Sequence, residues 1–244
     1  MKINPFKSAD LSLGPKHSTY GSSFNNEPLT QAGEKTLGVI ISSNLSWNKH
    51  IDSLLTRSSS GVTLCKILSY RHHLPSAIVK RFCLAFVRPK LEYCSAVWCG
   101  ASSAGLKRLE KVQISVARAI ARRRESAEAL SVAGLPTLSW RRHEHSLVLL
   151  WKVVNGMGPL QLEKLLPLAA SGRSTCSLRV GHELQFTFSR TARRLYSFLC
   201  VVVPVWNSLP ARVVSCKSLS LFRHRLHDFF VSDMYQFGLY LASS

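Results

Sequence analysis

The sequence predicts a mostly α chain: a helical bundle led by a small N-terminal β segment and followed by a helical C-terminal extension. Three observations lead to this class. From Trp47 onward, apolar residues recur at helical spacing in one segment after another. Residues 1–35 are by contrast polar and rich in Ser, Gly, Asn and Pro, the residues of turns. Hydrophobic residues make up 46% of the 244, enough to bury a core and too many for wholesale disorder.

Residues 1–43 form the β segment. Strand-like pieces lie around Ser18–Phe24, Asn25, Asn26 and Pro28 supply a turn, and Lys35–Ser42 reads as a buried strand carrying Leu37, Val39, Ile40 and Ile41. Residues 44–125 form the bundle. Trp47, Ile51, Leu54, Leu55, Val62, Cys65 and Leu68 keep helical register, with Asn44 or Ser46 as cap and Pro75 as the next boundary. A second helix starts at Pro75 and turns Ile78, Val79, Phe82, Cys83 and Phe86 inward. Pro89 interrupts it, because its ring excludes a normal helical hydrogen bond, and Leu91–Trp98 resumes as a short helix. A longer helix follows over Ala101–Arg124.

Residues 126–235 form the extension, with a break at Gly134 and Pro136. Leu138–Val154 is a helix, basic at its start (Arg141, Arg142), apolar at its end, and stopped by Asn155 and Gly156. Leu160–Leu166 adds a short helix and 169–182 a loop. Glu183–Phe188 alternates as a strand, Ser189–Arg194 is a basic turn, and residues 206–210 make a turn with a buried aromatic. Ser218 caps a last helix, Leu219–Phe230, whose Leu219, Phe222, Leu226 and Phe229 form an apolar stripe. Residues 236–244 are a tail.

Charge narrows the function. Lys and Arg total 32 against 13 Asp and Glu, a net +19. Such an excess repels itself unless an anionic partner neutralises it, and nucleic acid rewards each cation through counterion release. An anionic membrane surface and a merely solvated basic surface are the rivals. Taking about 100° per residue, Leu106, Leu109, Val112, Val116 and Ile120 share one side of the 101–124 helix. Lys107, Lys111, Arg118 and Arg122 share the other, with Arg123 and Arg124 following. A solvated face normally mixes both signs; here only Glu110 and Glu125 interrupt the positive run, which favours phosphate contact.

Other chemistries find little support. The seven Cys (65, 83, 94, 99, 176, 200, 216) are odd in number and several sit in apolar helical patterns, which predicts reduced thiols of an intracellular, unsecreted protein; with no Cys-x-x-Cys pair among them, no zinc is expected. His143 and His145 point apart on a helix, and His224 and His227 share a face without a third ligand, so no metal site is expected. Phe198–Trp206 is too short for a membrane span. No nucleophile elbow or phosphate-cradling glycine loop occurs. Two-metal nucleotidyl transfer needs carboxylates held close together, and Asp10, Asp52, Asp228 and Asp233 include no adjacent pair.

Six pieces, in order, carry a resemblance. They are Thr36-Leu-Gly-Val-Ile-Ile41 with Asn44-Leu-Ser-Trp-Asn-Lys-His-Ile51; Val87-Arg-Pro-Lys-Leu-Glu-Tyr-Cys-Ser-Ala-Val-Trp98; Leu109-Glu-Lys-Val-Gln113; Leu135-Pro-Thr-Leu138 with Arg141-Arg142; Ser189-Arg-Thr191 with Trp206-Asn-Ser-Leu-Pro210; and Ser218-Leu-Ser-Leu-Phe222. Across roughly residues 33–230 the chain resembles the region after the polymerase active site of non-LTR (LINE, jockey-like) retrotransposon reverse transcriptases. The resemblance implies a thumb-like helical domain over 44–125, a residual palm-like segment over 1–43, and a C-terminal extension. It also implies that the catalytic palm, with the magnesium of the parent enzyme, lies outside these residues. Ile114 and Ser115 stand where the family carries more Arg, and Cys200–Pro204 is apolar where the family is often basic.

The expectation is therefore a truncated fragment of an RNA-directed DNA polymerase from a transposable element, not itself an enzyme and without a cofactor. It binds RNA, DNA or their hybrid through Lys107, Lys111, Arg118, Arg122, Arg123 and Arg124, with Arg141 and Arg142 secondary. Its place is nuclear or cytoplasmic, with no membrane partner. A basic helical protein-interaction module and a non-functional translated remnant share the same composition.

Overall fold

The computed structural model describes residues 9–10, 23–24, 27–28, 30–31, 35–59, 73–166, 184 and 191–232. They are mostly helical, as the periodicity predicts. The expected positions of Val62, Cys65 and Leu68, the 169–182 loop and the tail lie outside the described residues, as does most of the expected 183–188 strand. The chain divides into two compact units, residues 1–94 with 101–139, and residues 95–100 with 140–244. The expected boundary at residue 125 thus falls inside the first unit.

Among the described residues, the strands pair as two-residue ladders. β1 (Ala9–Asp10) pairs with β4 (Thr30–Gln31) in parallel, β2 (Ser23–Phe24) with β3 (Glu27–Pro28) antiparallel, and β5 (Lys35–Thr36) with β6 (Val39–Ile40) antiparallel. The buried strand expected over Lys35–Ser42 is instead a hairpin. Leu37 and Gly38 take φ of 48° and 83°, as the central residues of a type I′ turn must, and Leu37 is left 87% exposed. Tyr93 Oη donates to the Leu37 carbonyl at 2.8 Å, and β6 is tied to the next helix where Ile40 N–H donates to His50 Nδ1.

In the first unit, α1 (Asn48–Ser59) turns His50, Ile51 and Leu54 inward, with Ser46 Oγ accepting from Asn48 N–H. α2 (Ser76–Phe82) follows Pro75 as expected, but helical structure does not break at Pro89. One π turn, Cys83–Val87, lets Arg88 N–H reach back five residues to the Cys83 carbonyl, and α3 (Arg88–Glu92) carries Pro89 in its first turn. A wide turn accommodates a ring that would clash with a carbonyl four residues back. It also resets the inward face. Val79, Cys83, Val87 and Leu91 are buried, while Ile78, Phe82 and Phe86, expected inside, are 40 to 50% exposed. The helix expected over Leu91–Trp98 ends at Glu92.

α4 (Ser103–Ala121) is capped by Ser102, whose Oγ accepts from Gly105 N–H. It lies along α1: Ser102 Oγ donates to Asn48 Oδ1, and Arg108 bonds Asp52 at 2.6 Å. α5 (Ser126–Ala133), not anticipated from the sequence, packs on α4 and ends on Gly134. There the Leu135 N–H bonds the Leu130 carbonyl and the Gly134 N–H the Ser131 carbonyl, which makes a Schellman stop.

α6 (Leu138–Val154) matches its expected span and ends in the same kind of stop at Gly156. The second unit contains α6 from Trp140 onward, α7 (Leu160–Lys164), α8 (Ala192–Leu195), α9 (Phe198–Asn207), α10 (Ala211–Val214) and α11 (Leu219–Ser232). Its core centres on Phe222, 0% exposed, with ring centroids 5.7 Å from Trp151 and 6.0 Å from Trp206. The expected stripe of α11 holds, with Leu226 and Phe229 also buried. Asn207 has an architectural role that sequence reasoning missed: its side-chain amide both donates to and accepts from the backbone of Leu184, at 2.8 and 3.1 Å.

Candidate nucleic-acid interface

The candidate interface is the exposed line of α4. Lys107, Lys111 and Arg118 are exposed on the helix and Arg122 is exposed at its C-cap. At 100° per residue they fall within about 60° of one another, and a rise of 1.5 Å per residue spreads them over about 22 Å. The opposite side is packed: Leu109, Val116, Ala117 and Ile120 are buried, with Leu106 and Val112 partly so. Gln113 is buried too and donates to the Pro136 carbonyl, so this helix face is fixed by a polar tie as well as by burial.

Single-signed charge on this line follows from where the acids go. Glu110 accepts from the N–H groups of Leu138 and Ser139 at 3.0 and 3.3 Å, capping the start of α6. Glu125 caps α5 by accepting from Glu128 N–H at 2.7 Å, a bond that holds its carboxyl below the usual range. Both carboxylates are thereby aimed at helix N-termini, where backbone N–H groups and the helix dipole favour negative charge. Asp52 is held by Arg108. Among the described residues, Lys107, Lys111, Arg122 and Arg124 have no carboxylate within 4.0 Å.

The remaining cations divide. Arg118 donates to Ser126 Oγ at 3.0 Å and stays exposed. Arg123 pairs with Glu128 at 3.1 Å, a contact with both partners more than half exposed and therefore weak. Arg122 takes φ 55° and ψ 37°, a left-handed position where glycine is the usual occupant. Arg141 and Arg142, expected as secondary phosphate contacts, do not join this set. Arg142 is 6% exposed and lies near Cys99, and Arg141 is bonded to Glu144 at 2.8 Å and lies over the Trp140 ring. Helical periodicity places residues 141 and 142 on adjoining sides of α6, and the sequence did not show that those sides are covered.

Among the described residues, the polar and thiol groups away from this line are mostly covered or paired. Ser95 Oγ lies 2.9 Å from His145 Nδ1, but Ser95 is 1% exposed and so closed to a substrate. Burial pushes the thiols of Cys83 and Cys99 up to about 11, which keeps them protonated. His224 bonds Asp228 at 2.7 Å on the surface of α11. No group of three potential metal ligands occurs among the described residues, and no described helix is long and apolar enough to cross a membrane.

Compared with models of known protein families, with curated proteins and with solved structures, the chain has no match.

Proposed function

We propose that the chain is a nucleic-acid-binding piece of a LINE-type RNA-directed DNA polymerase, with the helices of its first unit corresponding to the thumb. In this reading α4 lies along the sugar–phosphate backbone of RNA, DNA or their hybrid and reads no sequence. The observation that carries it is the exposed line Lys107, Lys111, Arg118 and Arg122, kept single-signed because Glu110 and Glu125 cap other helices. The six ordered sequence pieces support the retrotransposon origin. These residues bind and position; they catalyse no nucleotide addition and hold no resident cofactor. The place of action is inside the cell, in the nucleus or cytoplasm.

Changing Lys107, Lys111, Arg118 and Arg122 together to Gln tests the reading. The slope of log affinity against log salt on duplex DNA is expected to flatten by about 3.6 units, since each phosphate contact contributes about 0.9. An unchanged slope removes α4 from the interface. Polyglutamate competing as well as RNA of equal charge points to an acidic protein partner instead.

A further inference from the structure

The exposed face of α2 and the π turn is built unlike a solvated surface. Phe82 and Phe86 are 42% and 50% exposed, although Val79, Cys83, Val87 and Leu91 already fill the buried side of the same segment. Their rings stack on each other, with centroids 5.9 Å apart and planes inclined by 26°. Arg81 precedes the pair and Lys90 follows it one turn after Phe86; both are exposed and about 13 Å apart along the helix. Neither has a carboxylate within 4.0 Å among the described residues, and Glu92 is held by Arg88 at 2.8 Å.

We infer that Phe82 and Phe86 form a stacking platform for the unpaired bases of a single-stranded nucleic acid, with Arg81 and Lys90 meeting its phosphates. Base faces stack on aromatic rings whatever their sequence, and cations on either side follow the backbone. A duplex keeps its base faces to itself. An apolar protein segment on the rings would bring the two cations toward an interface with nothing to neutralise them. The inference rests on the phosphate-binding reading above and adds the kind of strand that is held.

The test uses the full chain and fluorescence anisotropy with three probes: oligothymidylate, an abasic chain of equal length, and a duplex. The wild type is expected to prefer oligothymidylate to the abasic chain by about tenfold or more. The double variant Phe82→Leu with Phe86→Leu keeps apolar bulk, so it is expected to lose that preference while duplex affinity and salt slope stay put. Phe82→Tyr with Phe86→Tyr restores it. A Leu variant that keeps the preference, or a wild type that binds both single strands alike, overturns the platform alone. So does sedimentation showing a dimer that the Leu variant dissolves. Failure to bind any of the three probes overturns the platform and the phosphate-binding reading together.

Discussion

His50 is fully buried, with Nδ1 accepting from Ile40 N–H, so the fold is built around a neutral imidazole. Burial first, and the Arg57 charge second, lower its pKa from 6.5 to about 4. The unfolded chain therefore takes up this proton below about pH 6.5, and the folded chain takes it up only near the lowered value. Stability contributed by the neutral ring is intact above pH 6.5 and lost as pH falls toward about 4, by about 3 kcal/mol in all. Denaturant unfolding at about pH 7 and about pH 4.5 checks this: the difference is expected to shrink by about 2 kcal/mol or more in His50→Gln. At this scale the sequence was a partial guide. His50 was legible only as a member of a family-like motif, since its burial depends on a hairpin that periodicity read as one strand. Arg142 misled for the same reason: charge suggests exposure, and only packing decides it.

Among the elements, α6 shows how a helix is started by a residue far away in the chain. Its first N–H groups are met by Glu110, 28 residues earlier, which simultaneously takes a negative charge off the α4 ridge. Glu110→Ala is expected to destabilise the chain by about 1 kcal/mol through the lost cap, read as a lower denaturant midpoint. An unaltered midpoint would mean that water serves those N–H groups equally well. The spans of α6 and α11 and the start of α2 were legible because caps, glycine stops and apolar spacing agree there. The inward face of α2 was not. A π turn adds a residue to one turn, and a 3.6-residue period counted through it assigns the aromatic side to the core. α5 and α9 were missed as well: the first is short, and the second carries Pro204 and is apolar almost throughout, so neither shows a two-sided pattern.

For the whole molecule, the decisive quantity is the net charge of +19. Without a polyanion, like charges weaken the folded state, and salt relieves them as the screening length falls from about 10 Å to about 3 Å between 0.1 and 1 M. The melting temperature is accordingly expected to rise with salt, by about 2–4 °C for each 1 kcal/mol relieved, in thermal melts followed by circular dichroism. A fall would mean that surface ion pairs such as Arg108 with Asp52 outweigh the repulsion. The charge excess was plain from composition and its gathering on one side of α4 from helical spacing, whereas the capping roles that occupy Glu110 and Glu125 depend on contacts of the folded chain. Arg122 carries a last consequence. A guanidinium there holds a backbone shape that glycine would adopt more comfortably, at a cost on the order of 1 kcal/mol. Heat and grip therefore pull this position in opposite directions, and a laboratory lineage bred only to survive boiling would drift toward glycine and blunt the end of its own basic edge.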